Sequence, residues 1–402
     1  MDELTSLGLI LLLALLAGHL VRAARIPEVT GYLLAGVVLG PSVLGWLSQE
    51  NLGALSVLSE VALGLILFSI GAVFEHSLFA RIGRQVMHLT LYESSLAAGI
   101  VTIGMLVMGQ SWQVACLLGA VAIATAPAST LMVIRESDAA GPLTDHLLGV
   151  IGLNNLLCIT AYALVAAAID LTSPASHSFF QTLYRAGFMF GWQLIGSAAL
   201  GFLIGLLLAK WSPHVTEGGE MLILLAGSIL MCVGIARVLD LSPLVASLAV
   251  GATMVNLTER SRNLFETLAG TDPPFYAMFF VLAGAELDVS LVPAMGLLGV
   301  VYLFGRAGGK FFGARIGARR LGLDVKVQRL IGYALLAQAG LAVGLTFAIN
   351  ARYPALAPVI STIVLASVAV YEVIGPISTR FALVRAGEAH KANPVAADPM
   401  KL

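Results

Sequence analysis

Polar residues and a proline interrupt an apolar stretch of this sequence, where their side chains could bind an ion. The first part reads Ala124-Thr125-Ala126-Pro127-Ala128-Ser129-Thr130, and Asn154-Asn155 follow within the next apolar run. A proline removes a backbone donor and frees carbonyl groups, which a bilayer tolerates only beside protein or a watery cavity. Broken helices with polar neighbours at mid-membrane are typical of ion sites in secondary transporters. The pattern favours ion transport, and a proline kink with asparagines bonding between helices is the alternative.

Two basic residues, Arg306 and Lys310, lie near the inner end of another predicted span. Their segment reads Gly305-Arg306-Ala307-Gly308-Gly309-Lys310-Phe311-Phe312-Gly313. A charge inside a span costs several kcal/mol unless it is paired, solvated or neutralised. Either Lys310 serves transport, or both side chains extend toward the cytoplasmic surface and keep their charges in water. The sequence supports these two interpretations of Lys310 equally.

Acidic residues that could carry a proton or pair with these cations are few in the apolar runs. The candidates are Glu60, Glu286, Asp288 and Glu372. For Glu60 and Asp288 the sequence favours a helix end that faces water. Glu372 lies deepest in its predicted span, so it is the strongest acidic candidate.

The composition places these residues in a membrane protein. Of 402 residues, 58% are hydrophobic and 11% are charged, whereas soluble domains carry about 25% charged residues. The net charge of −1 leaves no basic face for nucleic acid. The seven histidines lack metal-ligand spacing, and no phosphate-binding Gly-Lys-Ser/Thr loop occurs. We therefore expect neither an enzyme nor a bound cofactor or metal, beyond a transported ion.

Apolar runs of about 20 residues predict thirteen membrane helices. They cover roughly 4–24, 28–46, 53–74, 85–108, 111–134, 145–169, 183–209, 219–239, 242–257, 270–288, 291–314, 328–350 and 355–381. The ninth and tenth are short and interrupted, so twelve is the alternative. Span five contains the Pro127 break, and span twelve contains Gln338-Ala339-Gly340. Two interrupted helices seven spans apart are expected of an inverted repeat.

The distribution of basic residues predicts the orientation of these spans. With the N-terminus outside and the C-terminus inside, 17 of 22 basic residues lie on the inner side and three, Arg185, Arg237 and Arg352, lie outside. The first span lacks a basic start and a cleavage site, so we expect it to be retained. Residues 1–385 form one membrane module, and residues 386–402 form a short cytoplasmic tail.

Several segments, spread over the chain, carry a resemblance to a known family. They are residues 26–41, which begin Ile26-Pro27-Glu28-Val29-Thr30-Gly31, residues 60–71, 242–247 and 279–288, Gly309-Lys310, Gln338-Ala339-Gly340 and Arg385-Ala386-Gly387-Glu388. Together they are similar to the monovalent cation:proton antiporter superfamily, in particular its bacterial sodium/proton and potassium/proton exchanger branch.

The resemblance implies a homodimer in the bacterial inner membrane. Each protomer then has a dimerisation part and an ion-carrying core, with two broken helices that cross at mid-membrane. The core moves as an elevator, and an Asp-Asp or Asn-Asp pair on an adjacent span binds a proton or a cation in turn while a Lys or Arg faces it. The matching residues here are Asn154, Asn155 and Lys310. Oxygen ligands for Na⁺ or K⁺ would come from Asn154, Thr125, Ser129 and Thr130.

Asn155 departs from the family pattern. An amide does not titrate, so proton and cation cannot compete for one carboxylate at this position. Asparagine is nearly isosteric with a protonated aspartic acid, so the fold should be retained while ion coupling is altered.

Four interpretations follow from this departure. In the first, the working protein has an aspartate at position 155 and this chain is a trapped form, by a natural or a deliberate change. In the second, the Asn-Asn pair is native and coupling has moved to Lys310 or to Glu372, Glu60 or Glu286. In the third, a neutral site beside Lys310 and helix N-termini carries an anion. In the fourth, the protein does not transport and serves as a sensor or scaffold.

Overall fold

The computed structural model describes residues 3–71, 74, 76–172, 188, 191–215, 218–258 and 273–390. Every regular element in these residues is a helix. In the first half these are α1 (Glu3–Ala23), α2 (Glu28–Leu39), α3 (Gln49–Gly71), α4 (His76–Val107), α5 (Trp112–Ala122), α6 (Pro127–Glu136) and α7 (Pro142–Thr172). In the second half the longer helices are α8 (Ser197–Trp211), α9 (Gly218–Val238), α10 (Pro243–Leu257), α11 (Pro273–Ala285), α12 (Gly296–Arg320), α13 (Val325–Ala334), α14 (Gly340–Arg352) and α15 (Ala357–Ala386), and three helical turns of three to five residues accompany them at Trp192–Gly196, Ser212–His214 and Leu291–Ala294.

The all-helical membrane fold predicted from the sequence is confirmed. Within the described residues, seven stretches are long and apolar enough to cross a membrane, and four shorter apolar helices accompany them. Each predicted span coincides with at least one helix, but the count of thirteen stays a prediction. The predictions for Arg185, Arg260, Arg262, Lys391 and Lys401 lie outside the described residues.

The helices pack in two groups that interleave along the chain. The first bundle contains α1–α3 and α8–α11, and the second bundle contains α4–α7 and α12–α15. The bundles touch where α6, α7 and α15 pack on α2 and α3. At one such contact the Glu28 backbone N–H donates to Glu136 Oε2 at 2.8 Å.

Both helix interruptions predicted from the sequence are real breaks. Residues 123–126 separate α5 from α6, and residues 335–339 separate α13 from α14. Pro127 begins α6, where its missing N–H removes no helical hydrogen bond. The two breaks meet, because the Ala126 N–H donates to the Ala337 carbonyl at 3.0 Å. The proline kink offered as the alternative is therefore wrong, and the fold has two broken helices that cross.

Glycines bring α4 and α12 unusually close. A Cβ on Gly313 would lie 2.7 Å from Glu93 Cα, and one on Gly309 would lie 2.8 Å from the Ala97 nitrogen. Small residues allow membrane helices to approach until their backbones touch. The glycines of the Gly309–Gly313 segment therefore place one face of α12 directly against the Glu93 turn of α4.

The start of α7 is fixed by a residue from the far end of the chain. Glu388, just beyond α15, is 7% exposed. Its carboxylate accepts hydrogen bonds from the Leu143 and Thr144 backbone N–H groups, both at 2.8 Å. A carboxylate at a helix N-terminus satisfies free donors and complements the helix dipole. This contact fixes the helix that carries Asn154 and Asn155.

Candidate functional site

Arg306 holds the two helix breaks together. Its Nε donates to the carbonyl of Ala122, the last residue of α5, at 3.1 Å, and its Nη2 to the Ala124 carbonyl in the first break at 2.6 Å. In the second break, Nη1 donates to the Leu336 carbonyl at 2.7 Å and Nη2 to the Ala337 carbonyl at 3.2 Å. A guanidinium offers five donors in one plane, so a single side chain satisfies carbonyls that both breaks leave free.

Lys310 lies one helical turn beyond Arg306 and is fully buried. Its Nζ donates to the Ile123 carbonyl at 2.5 Å and to Thr125 Oγ1 at 2.8 Å. It also forms an ion pair with Glu93 Oε2 at 3.0 Å. Both Arg306 and Lys310 are 0% exposed, so the interpretation that they extend to the surface is wrong.

Glu93, on α4, is the carboxylate of this site and was not among the acidic residues predicted from the sequence. It is 0% exposed. The Asn154 amide Nδ2 donates to Glu93 Oε1, as does Ser94 Oγ at 3.2 Å. A signal was available, because Tyr92-Glu93-Ser94-Ser95 lies within the fourth predicted span. An intramembrane carboxylate should be treated as functional by default.

Thr125 connects the first break to the asparagine pair. Its Oγ1 donates to Asn154 Oδ1 at 3.1 Å, and its backbone N–H lies 3.4 Å from Asn155 Oδ1. Asn154 is fully buried, whereas Asn155 is partly exposed. The structure thus brings Thr125, Asn154 and Lys310 together, as the sequence predicted, and adds Glu93.

Asn155 faces a cavity between the two bundles. The cavity has a volume of about 150 Å³. It is lined from the second bundle by Asn155, Pro127 and Leu156, and from the first bundle by Leu67 and Leu248, among others. The cavity therefore brings the Asn155 amide to the boundary between the two bundles.

The two other hydroxyl candidates differ in their contacts. Thr130 Oγ1 donates to the Ala126 carbonyl at 3.1 Å, within the first turn of α6. Ser129 is fully buried, and its Oγ has no hydrogen-bond partner among the described residues. Of the two, Ser129 retains a free oxygen.

The acidic residues expected to pair with Lys310 lie elsewhere. Glu60 pairs with Arg237 at 2.8 Å, on α3 and α9. Glu286 is exposed just after α11, and Asp288 accepts from the Ser290 backbone N–H at 3.0 Å in the following turn. Glu60 and Glu286 were possible partners of Lys310, but Glu93 occupies that position. Asp288 faces water beyond a helix end, as the sequence favoured, whereas Glu60 lies in the middle of α3 and not at its end.

Glu372 is buried in α15, as its depth in the sequence predicted, with 3% of its side chain exposed. Its Oε2 has no hydrogen-bond partner among the described residues. The described residues also give it no contact with Lys310 or Arg306. The adjacent Tyr371 ring instead lies beneath the Arg306 guanidinium, 4.4 Å from its carbon. Glu372 is thus a buried carboxyl group outside the Lys310 site.

The atoms around Lys310 Nζ are oxygens of the kind that hard cations bind in proteins. In the described part of the chain, no three His, Cys, Asp or Glu side chains cluster as metal ligands would. The groups around Lys310 Nζ are instead a carbonyl, a hydroxyl and one carboxylate. Such oxygens bind hard cations weakly enough to release them.

Comparison with known proteins identifies the family. The model of the transmembrane sodium/hydrogen exchanger matches residues 8–385. The chain is 26% identical, over 83% of both sequences, to the ammonium/H⁺ antiporter subunit AmhT of Alkalihalophilus pseudofirmus. It is 25% identical to the high-affinity Na⁺/H⁺ antiporter NhaS3 of Synechocystis, over 72% of this chain and 69% of that one.

The fold has a counterpart among solved structures. The sodium proton antiporter MjNhaP1 of Methanocaldococcus jannaschii matches with a TM-score of 0.70, over 96% of this chain and 98% of that one. The two sequences are 17% identical, so this match concerns the fold alone. The family model spans nearly the whole chain, and the structure has crossing broken helices with the basic side chains of Arg306 and Lys310 buried between them. This protein therefore belongs to the sodium/hydrogen exchanger family of membrane antiporters.

Proposed function

We propose that this protein exchanges a monovalent cation for a proton across the membrane, at the crossing of its broken helices. The observation that carries the proposal is the buried Lys310–Glu93 ion pair, which lies among oxygen atoms between the two breaks. A buried ion pair is often no more stable than apolar side chains of similar volume, which favours a functional reason for its presence. Na⁺, K⁺ and NH₄⁺ are the candidate substrates, the first and last by analogy with the relatives.

The ion site in this proposal consists of oxygens near Asn154 and Asn155. Thr125 contacts Lys310 and Asn154 contacts Glu93, and the two residues are also hydrogen-bonded to each other. Ser129 contributes a buried hydroxyl without a partner among the described residues. Asn155 faces the cavity between the bundles and provides an amide oxygen on the approach to the site.

Alternating access in this proposal is an elevator movement of the second bundle. That bundle contains both broken helices and every residue of the site, whereas the first bundle contributes only apolar lining to the cavity. A rigid body that carries its complete site can move past a fixed partner without dismantling the site. The first bundle would form the homodimer, in the bacterial inner membrane.

The orientation in this proposal places the N-terminus outside and the C-terminus inside. It is supported by side chains from four helices, α1, α2, α6 and α15, that meet at one end of the molecule. Arg22 forms an ion pair with Glu28, and Arg380 pairs with Glu136 at 3.3 Å. All four lie at the helix ends that the distribution of basic residues assigns to the cytoplasm.

The test is proton flux in proteoliposomes that contain a pH-sensitive dye. We expect an outward gradient of Na⁺, K⁺ or NH₄⁺ to acidify the lumen, because each cation that leaves is exchanged for a proton that enters, and we expect choline to have no effect. Asn155→Asp is measured beside the chain as written. Flux in the chain as written supports the proposal, whereas silence from both proteins with every cation would overturn it.

The alternative of anion transport finds no supporting observation in the described residues. The positive charge of Lys310 is already neutralised by Glu93, and Arg306 is surrounded by carbonyl oxygens. Anion flux without a monovalent cation in the same liposomes would nevertheless favour it.

A further inference from the structure

We propose that the Glu93 carboxylate on α4, and not a group at position 155, binds the transported cation in place of Lys310. This inference rests on the proposed exchange function and names the residue that performs it. It also fixes the exchange ratio, at one proton for each cation.

The two oxygens of Glu93 differ in how firmly they are held. Oε1 accepts hydrogen bonds from the Asn154 amide and from Ser94 Oγ. Oε2 has no partner among the described residues other than the Lys310 ammonium group, at 3.0 Å. One oxygen therefore orients the carboxylate, while the other faces only a positive charge. A mobile cation can therefore replace the Lys310 ammonium group at Oε2 while the hydrogen bonds to Oε1 stay intact.

The Lys310 ammonium group occupies a position that suits an alkali cation. Three oxygens surround Nζ: the Ile123 carbonyl at 2.5 Å, Thr125 Oγ1 at 2.8 Å and Glu93 Oε2 at 3.0 Å. Carbonyl, hydroxyl and carboxylate oxygens are the ligands that hard monovalent cations take in proteins. If the flexible lysine side chain withdraws, these three oxygens remain as a cation site.

Charge balance decides what must leave when the cation enters. The ionisable groups around Glu93 are Lys310 and Arg306 on α12 and Cys158 on α7. Arg306 donates to carbonyls at the C-terminal ends of α5 and α13, whose dipoles each supply about half a negative charge. It therefore stays charged and is compensated, and the Glu93–Lys310 pair is neutral by itself.

A second positive charge beside this pair would be buried without a partner, which costs several kcal/mol. Entry of the cation therefore requires that the Lys310 ammonium group loses one proton to the aqueous side. The site then holds a carboxylate, a cation and a neutral amine, and its total charge is unchanged. When the cation leaves, the amine regains one proton, so the exchange moves no net charge.

Position 155 cannot take this role in the chain as written. Its side chain is an amide, which binds no exchangeable proton. Its oxygen accepts from the Thr125 backbone N–H at 3.4 Å, and the described residues give it no contact with Lys310.

The experiment compares cation binding in purified full-length variants. Cation-induced stabilisation is followed by thermal unfolding in NaCl, KCl or NH₄Cl against choline chloride, and released protons are measured with a dye in weak buffer. In the parent we expect one proton released per cation bound. Glu93→Gln should lose the cation-specific stabilisation, the proton release and the flux. Glu93→Asp should retain flux with an apparent cation affinity at least tenfold weaker.

Lys310→Met should still bind the cation, but the proton released on binding should then come from the Glu93 carboxyl, because that carboxyl has no positive partner to keep it ionised in the empty site. The double variant Glu93→Gln/Lys310→Met removes both charges and leaves no buried ion unpaired, so it tests the role of Glu93 without misfolding. It should unfold at a temperature near that of the parent and bind no cation. Asp170→Asn, in the half-exposed pair with Arg352, is the matched control and should keep flux and proton release.

Two results would overturn the inference about Glu93 and leave the proposed exchange function intact. One is a parent that shows flux together with a Glu93→Gln or double variant that keeps cation-dependent proton release. The other is flux that appears only in Asn155→Asp, which would assign cation binding to position 155. A parent and an Asn155→Asp variant that are both silent would instead overturn the proposed function itself.

Discussion

Arg306 and Lys310 are two buried basic side chains of α12. They differ in the chemical type of the groups that they contact. Arg306 donates its hydrogen bonds to four backbone carbonyls, which cannot change charge, and its guanidinium lies over the Tyr371 ring. Lys310 contacts a carboxylate and a hydroxyl in addition to one carbonyl. A guanidinium stays protonated under all conditions in proteins, whereas an ammonium group can lose its proton. Arg306 therefore holds the crossing, and Lys310 is free to take part in exchange.

Arg306→Lys should destabilise the protein although it conserves the charge. A lysine cannot reach carbonyls of both breaks in one plane, and each buried carbonyl left unsatisfied costs about 1–3 kcal/mol. We expect a loss of at least about 2 kcal/mol, measured as a lower unfolding temperature. Arg237→Lys, in a half-exposed pair, is the control and should be nearly neutral. Equal unfolding temperatures for both variants would contradict the role assigned to Arg306.

The packing of α4 on α12 decides whether Glu93 and Lys310 can meet. Because Gly313 lies against the Glu93 backbone, the two helices approach closely at the turn that carries the carboxylate. A lysine side chain then reaches the carboxylate while it also contacts Ile123 and Thr125. The same two residues on helices separated by larger side chains would lie too far apart for a direct ion pair.

Gly313→Ala should therefore reduce exchange and stability together. The added Cβ would lie 2.7 Å from Glu93 Cα and 2.8 Å from the Tyr92 carbonyl oxygen, so the helices must separate, at a cost of about 1–3 kcal/mol. Unfolding temperature and proteoliposome flux measure the two effects. Gly308→Ala is the matched control, because its Cβ would meet nothing nearer than a Phe312 atom at 4.0 Å. A Gly313→Ala variant with the stability and flux of Gly308→Ala would refute this packing argument.

In the whole molecule, the cavity that Asn155 lines lies between the two bundles. In the proposed elevator movement, the bundles would slide past each other at this boundary. Asn155 and Leu156 line it from α7, and Leu248 lines it from α10. The side chains from the first bundle are apolar, so they offer a moving site no polar group to hold it in place. This arrangement suits a boundary between parts that change their relative position.

Leu248→Trp should block transport without touching the Glu93–Lys310 pair. The larger side chain would fill a cavity of about 150 Å³ and obstruct both the approach to Asn155 and the movement of α7. We expect at least a tenfold slower flux, with cation-induced stabilisation of the detergent-solubilised protein still detectable. Leu203→Trp, on the exposed face of α8, is the control for adding an indole. Unchanged flux in Leu248→Trp would exclude this cavity as part of the path.

The local amino-acid sequence by itself determined that the chain forms helices and where two of them break. Long apolar runs can satisfy their backbone in a bilayer only as helices, so the all-helical fold follows from composition. Pro127 marked the first break directly, because it cannot continue a helix from the preceding residues. The break before Gly340 was a weaker prediction, since glycine is common in membrane helices. It is nevertheless confirmed.

Tertiary structure alone decided the charge pairing at the site. Glu93 and Lys310 are more than two hundred positions apart, and the contact between them depends on how α4 and α12 pack. Glu60, Glu286 and Glu372 were the candidate partners that the sequence offered, and none is in contact with Lys310 in the described residues. The sequence thus determined which helices form and where they break. Only the packing of those helices decided which buried carboxylate faces the buried lysine, because an ion pair depends on distances that spacing along a chain does not contain.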